Sequence, residues 1–74
     1  MTVQRMVAYH ISRLKDKNPS VRLKSISELA LLGDPAALEA LQEVYRNDDD
    51  SEVRKAAQEA GRSIFLKHKQ QQSS

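Results

Sequence analysis

The acidic residues between positions 48 and 59 are the first candidates for chemistry in this 74-residue chain. Their carboxylates stand at the first, third, fifth and twelfth places of an EF-hand calcium loop: Asp48, Asp50, Glu52 and Glu59. The sixth place of that loop requires glycine for a sharp turn, but this chain has Val53 there. A helix pattern also begins where the loop would have to continue. We therefore predict no metal site, and we expect these acids to form a solvated loop that caps a helix.

The combinations of side chains that support catalysis or bind zinc are missing. The chain has no cysteine, and its two histidines, His10 and His68, lie far apart with no ligand-like spacing around either. His10 lies beside the apolar stripe of the first predicted helix, where a lone histidine is more often a packing residue than a catalyst. The sequence contains no Ser-His-Asp set, no HExxH pair and no glycine-rich phosphate loop. We predict that the protein is not an enzyme and has no catalytic residues, metal or cofactor.

The charged residues are distributed unevenly, although the net charge is only +2. Residues 1–33 carry a net charge of +4, residues 34–53 carry −6 and residues 54–74 carry +4. The acidic middle interrupts any continuous track for phosphates, and the basic residues are not interleaved with aromatic ones, so nucleic acid is the less favoured partner. No stretch approaches the roughly 20 apolar residues of a membrane span and no secretory signal is visible, so we expect a soluble, cytoplasmic protein that does not bind membranes.

Apolar residues recur at helical spacing along most of the chain, which predicts four helices. Asn18-Pro19 and Asp34-Pro35 are strong helix starts, because the polar side chain accepts from free amides and proline needs no donor at the first helical position. Gly33 predicts a left-handed helix end and a tight corner between two helices. The predicted helices cover about residues 3–14, 19–32, 35–46 and 51–68, in one domain over residues 1–69 followed by a disordered polar tail, residues 70–74.

An internal repeat with an offset of 32 residues superposes Asn18-Pro19-Ser20-Val21-Arg22 on Asp50-Ser51-Glu52-Val53-Arg54. Together with the Gly33-Asp34-Pro35 corner and the Ala37-Leu38 that follows it, this pattern resembles the HEAT-like repeats. It is most similar to their short form, which is named after the phycobilisome lyase subunits. The resemblance covers about residues 7–66 and implies an all-α, four-helix, two-repeat fragment of an α-solenoid.

The resemblance also implies a structural role for Arg22 and Arg54, which begin the two capped helices behind loops rich in Asp and Asn. In such repeats these arginines bond the acids and carbonyls of neighbouring loops. Asp16 and Asp48 are therefore the expected partners in a ladder that ties the repeats together. Ligand binding by the two arginines is the alternative.

Equivalent positions on the two capped helices differ in polarity. The outward ridge of the capped helix over residues 51–68 is charged, with Lys55, Glu59 and Arg62. The same ridge of the capped helix over residues 19–32 carries Leu23, Ser27 and Ala30-Leu31. An exposed apolar ridge on a small protein tends to mark an interface, unless the first helix or the N-terminus covers it. The predicted partner-binding surface, here named the capped-helix face, comprises Leu23, Ser27, Leu31, Lys55 and Arg62.

A solenoid of two repeats must cap both of its ends, form a homodimer or complete its core on a partner, because solenoids usually need three or more repeats. We therefore predict a non-enzymatic adaptor or assembly factor that binds another protein through the capped-helix face. The resemblance alone suggests an alternative function as an accessory to a lyase that attaches or removes bilin chromophores.

Overall fold

Four α-helices make up nearly all of the chain that the structure, a computed structural model, describes, which is residues 2–72. They are α1 (Val3–Arg13), α2 (Pro19–Leu32), α3 (Leu38–Asn47) and α4 (Ser51–Gln72). A 3-10 turn, Pro35–Ala37, leads into α3. The described residues contain no strand, and the predicted all-α, four-helix fold class is confirmed.

The helices begin and end where side chains or a left-handed turn can satisfy free backbone groups. Asn18 Oδ1 accepts from the amide of Ser20 at 2.9 Å, and Pro19 follows at the start of α2. At the other end of α2, Gly33 has a φ of 67°, and its N–H donates to the carbonyl of Leu29 at 3.0 Å. The predicted corner forms here because glycine adopts this left-handed conformation without a Cβ penalty.

Some predicted helix boundaries differ from the structure. The first helix ends at Arg13, one residue early, and the segment after the corner begins as a 3-10 turn, so that α3 starts at Leu38 and ends at Asn47. Short 3-10 segments are common at helix starts. The last helix continues to Gln72, which corrects the predicted disordered tail for residues 70–72. Glutamine is a good helix former and neither Gly nor Pro interrupts this stretch, so the helix propagates. Residues 73 and 74 of the predicted tail lie outside the described residues.

One hydrophobic core joins the two repeats. The last helix, α4, packs against both α2 and α3, while α1 packs against α2. The buried apolar side chains come from all four helices, the 3-10 turn and the residue just after α1: Val7, Leu14, Ile26, Leu29, Ala37, Leu41, Val53, Ala57, Ala60 and Ile64. Several of them are small, as is the buried Ser25, which lets packed helices come close together. Within the described residues, no helix combines the length and the apolar composition needed to cross a bilayer.

Candidate partner-binding site

The loops before α2 and α4 have the same hydrogen-bonding pattern. In the first loop, Asp16 Oδ1 accepts from the amide of Asn18 at 2.9 Å. In the second, Asp48 Oδ1 accepts from the amide of Asp50 at 3.0 Å. Both are turns in which an aspartate side chain binds the backbone two residues further on. The repeat found in the sequence is therefore also a repeat of loop geometry.

Arg22 and Arg54 bind these two loops in the same way. Arg22 Nη1 donates to the carbonyl of Asp16 at 2.7 Å, and Arg54 Nη1 donates to the carbonyl of Asp48 at 2.7 Å. The structure thus brings the four predicted ladder residues together, but Arg22 binds the backbone carbonyl of Asp16 and not its carboxylate. Its carboxylate lies 3.5 Å from Nη2 of Arg13 instead.

A buried ion pair between Arg22 and Asp48 connects the first repeat to the second. Arg22 Nη2 donates to Asp48 Oδ1 at 3.1 Å, and Nε lies 2.9 Å from Oδ2 but is not aimed well enough for a hydrogen bond. The two side chains are only 10% and 9% exposed. Asp49 Oδ1 is 3.4 Å from Nη2, but this side chain is 96% exposed, so water screens its charge. Breaking a buried pair of this kind would leave a charge away from water without a partner.

An open groove between α2 and α4 runs along the capped-helix face. It is lined by Leu23, Ile26, Ser27, Ala30, Ala56, Glu59, Ala60 and Ser63. Leu23 is half-buried and packs against the core, whereas Leu31 is 77% exposed and does not line the groove. The apolar ridge predicted on α2 is therefore largely exposed to solvent at Leu31, and α1 does not cover it there.

The two basic residues of the capped-helix face lie on α4 and outside that groove. Lys55 is exposed, and Arg62 is exposed and lines a second groove between α3 and α4. Ser27 is exposed and lines the first groove. The five predicted residues are therefore divided between two helices and do not form one pocket.

Comparison with known families matches residues 3–61 to HEAT repeats, a range that includes both loops, both arginines and the glycine corner. The chain belongs to the HEAT repeat family. No curated protein and no solved structure matches it. HEAT repeats generally mediate contacts between proteins, and the family is typically a non-catalytic scaffold.

Two of the four acids that suggested an EF-hand count have structural partners in this HEAT repeat chain. Asp48 carries the ion pair between the repeats. Asp50 Oδ1 caps α4 by accepting from the amides of Glu52 at 2.9 Å and Val53 at 3.1 Å. The side chains of Glu52 and Glu59 are exposed. Nowhere in the described part of the chain do three side chains that could ligate a metal come together.

His10 is half-buried beside a groove between α1 and α2. Its ring meets that of Tyr9 edge-on, with centroids 5.1 Å apart. The Nδ1 atom is buried and has no hydrogen-bond partner among the described residues. No carboxylate among the described residues forms a hydrogen bond with the ring.

The groove between α3 and α4 is a feature that the sequence patterns did not identify as a surface. We name it the end groove, and it is lined by Leu38, Gln42, Tyr45, Ala57, Gln58, Gly61, Arg62 and Phe65. Tyr45 is 43% exposed and Phe65 is 56% exposed, so two of the three aromatic residues of the chain face solvent here. These two residues are 20 positions apart in the sequence, and the packing of α3 against α4 brings them to one groove.

Proposed function

We propose that this HEAT repeat chain is a non-enzymatic adaptor or assembly factor that binds a partner protein through the capped-helix face. The observation that supports it most is Leu31, a large apolar side chain on α2 that is 77% exposed. Covering apolar surface is favourable by about 25 cal/mol per Å². The equivalent position of the second repeat is Ser63, so the apolar character belongs to the first repeat alone.

The chemistry of the capped-helix face indicates what kind of partner would fit. The α2 side offers apolar contact at Leu31 and Leu23, and the α4 side offers charges of both signs at Lys55, Glu59 and Arg62. A partner with an apolar side chain flanked by charged residues of both signs would match both sides. A standard interface covers about 800 Å² on each partner, and one broad face of a molecule with extents of 40 × 27 × 15 Å is large enough for that.

A pull-down from the native cell tests the proposal when the wild-type chain is compared with Leu31→Ser. Val3→Ser is the matched control, because Val3 is a 53% exposed apolar residue on α1. We expect the wild-type chain and the control to retain the same partner, and we expect Leu31→Ser to retain it about tenfold less well, as for a central apolar contact. Equal retention by all three proteins would refute the role of this face.

Two narrower functions remain as alternatives, and the same experiment separates them. An accessory role to a bilin lyase follows from the resemblance to the short lyase-type repeats and predicts phycobiliproteins among the captured proteins. Nucleic-acid binding follows from the basic ends of the sequence and predicts capture that nuclease treatment abolishes. Capture of other proteins that depends on Leu31 and survives nuclease treatment supports the adaptor function.

A further inference from the structure

A groove between α1 and α2 collects cationic side chains in the first repeat. It has a volume of about 320 Å³, and we name it the α1–α2 groove. Two of the side chains that line it carry a positive charge, a third is a histidine, and none is acidic. A concave surface lined by charges of one sign attracts ions of the opposite sign. The lining residues are Tyr9, His10, Arg13, Val21, Lys24 and Ser25.

His10 contributes a hydrogen-bond donor to this groove. Its Nδ1 atom is buried without a partner among the described residues, whereas Nε2 also has no partner there but is not buried. A buried N–H group that lacks an acceptor is costly. The neutral imidazole carries its single proton on one of the two nitrogens, so Nε2 is the favoured position. His10 therefore has an accessible N–H that no described residue uses.

The two cations of the groove also keep donors free. Lys24 is exposed and makes no ion pair with any residue that the structure describes. Glu28, one turn further along α2, does not line the groove. Arg13 Nη2 lies 3.5 Å from Oδ2 of Asp16, and the arginine side chain is 42% exposed, so water screens this pair. Because a guanidinium has five N–H donors, Arg13 retains several for another anion.

Packing between repeats does not require a charge at position 24. The equivalent residue of α4 is Ala56, which is half-buried, packs against the core and lines the groove between α2 and α4. The next position of each repeat is a buried small residue, Ser25 in α2 and Ala57 in α4. The small residue is therefore common to both repeats, whereas the lysine belongs to the first repeat alone.

A phosphate monoester matches the α1–α2 groove better than a carboxylate or a nucleic-acid backbone does. Its charge of about −1.5 to −2 and its three terminal oxygens suit three separate donors, whereas a carboxylate has two oxygens and one charge. A phosphodiester backbone favours a continuous positive track. Here Asp16 lies beside Arg13, and residues 34–53 carry a net charge of −6. The groove is thus an isolated positive site.

We propose that the α1–α2 groove binds a phosphate monoester. Nε2 of His10, the guanidinium of Arg13 and the ammonium group of Lys24 donate to the phosphate oxygens. The ring of Tyr9, which is 54% exposed, contacts the group that carries the phosphate. This activity goes beyond the proposed protein-binding function and does not depend on it, because no residue of the capped-helix face lines this groove.

Titration of the isotope-labelled full chain with inorganic phosphate, followed by NMR at constant ionic strength, measures this binding. We expect saturable shifts in the ring signals of His10 and in the backbone amides of the residues that line the groove. Lys24→Gln changes an exposed side chain, so the fold should persist while phosphate binding weakens roughly fivefold or more. Lys17→Gln is the matched control, because it removes the same charge from a nearby exposed residue that does not line the groove. It should leave binding unchanged.

Asp16→Asn tests the site in the opposite direction. It removes the carboxylate charge that competes for Arg13, and asparagine keeps an oxygen that can accept from the amide of Asn18. Phosphate should then bind roughly two- to fivefold more tightly. Glu39→Gln, at an exposed position on α3, removes the same charge outside the groove and should have no such effect. His10→Phe should weaken binding because it removes the N–H donor, while it keeps a ring at this position.

Further probes distinguish the sources of the phosphate. A peptide that contains phosphoserine represents a phosphorylated protein, and adenosine monophosphate represents a small phosphorylated metabolite. Both have a terminal phosphate, and Lys24→Gln should weaken the binding of each. The probe that binds more tightly identifies the source. A single-stranded oligonucleotide without a terminal phosphate should bind more weakly than either, because its phosphates are diesters with one charge each.

Several results would overturn the proposal. One is the absence of saturable shifts at the groove with inorganic phosphate. Another is an equal loss of binding with Lys24→Gln and Lys17→Gln, which would show only a general attraction to a basic surface. Tighter binding of the oligonucleotide than of the monoesters would identify a nucleic-acid surface instead. The Leu31→Ser chain should bind phosphate as the wild type does, so a failure of the capped-helix face and a failure of this site give separate results.

Discussion

Replacing Asp48 by asparagine removes the buried negative charge that faces Arg22. Asparagine keeps a side-chain oxygen that can still accept from the amide of Asp50, so the loop turn can persist and the main change is the loss of charge. Asp49→Asn is a closely matched control. It is the same substitution one residue away, at a side chain that also lies within 3.4 Å of Arg22 but is 96% exposed.

The expected difference between these variants follows from their burial. The side chains of Arg22 and Asp48 are 10% and 9% exposed, so the asparagine variant leaves a guanidinium away from water without its counter-ion. Breaking such a buried pair costs about 3–5 kcal/mol, whereas an exposed pair contributes about 0–1 kcal/mol. The free energy of unfolding of small domains is about 0.05–0.15 kcal/mol per residue, which gives about 4–11 kcal/mol for 74 residues. Asp48→Asn should therefore remove a large part of the stability, and Asp49→Asn should remove little.

Urea unfolding followed by far-UV circular dichroism measures both free energies. If Asp48→Asn is unfolded in buffer, adding an osmolyte such as sucrose to all samples restores a measurable transition. Added salt should lower the stability difference only slightly, because a buried pair is poorly screened. A difference below about 1 kcal/mol between the two variants would refute the inference that the Arg22 ion pair holds the repeats together.

Three further predictions concern the corner, the apolar ridge and the acidic loop. Gly33→Val should lower the free energy of unfolding by at least about 1–2 kcal/mol, because φ is 67° at this residue. Gly61→Val should change it by less than about 1 kcal/mol, because a Cβ added there meets nothing within 4 Å. Equal shifts in melting temperature for the two variants would contradict a left-handed corner at Gly33. Leu31→Ser should alter the free energy of unfolding by no more than about 0.5 kcal/mol, while Leu23→Ser should cost about 1–2 kcal/mol for its half-buried side chain. If chemical denaturation gave equal losses in the free energy of unfolding for Leu31→Ser and Leu23→Ser, the different burial of the two side chains would be contradicted. Millimolar calcium and a chelator should both leave the melting temperature unchanged, and a rise of several degrees with calcium would reveal a metal site.

The start and end signals of the helices could be predicted because they depend on local chemistry. The cap at Asn18, the proline after it and the left-handed Gly33 each act within a few residues of the chain, and the structure has all three. The end of α4 was harder to predict. A run of polar residues carries no apolar stripe, yet a helix that is already formed continues through glutamine at little cost.

The tertiary partners could not be predicted from the same patterns. Three consecutive aspartates precede α4, and the sequence does not distinguish the one that is buried against Arg22, Asp48, from its exposed neighbour Asp49. Leu23 and Leu31 likewise share a ridge in the helical pattern, but only the first packs against the core. Which side of a ridge is buried depends on where the neighbouring helix lies, and spacing along one helix does not contain that information.

Site-specific photocrosslinking in the native cell tests the partner-binding face most directly. A photoreactive side chain is introduced in place of Leu31 and, as a separate control, in place of Val3 on α1, which is 53% exposed. We expect a discrete crosslinked protein with the residue at position 31 and none with it at position 3. The same crosslinks at both positions, or no crosslink at position 31, would contradict a partner-binding role for the capped-helix face.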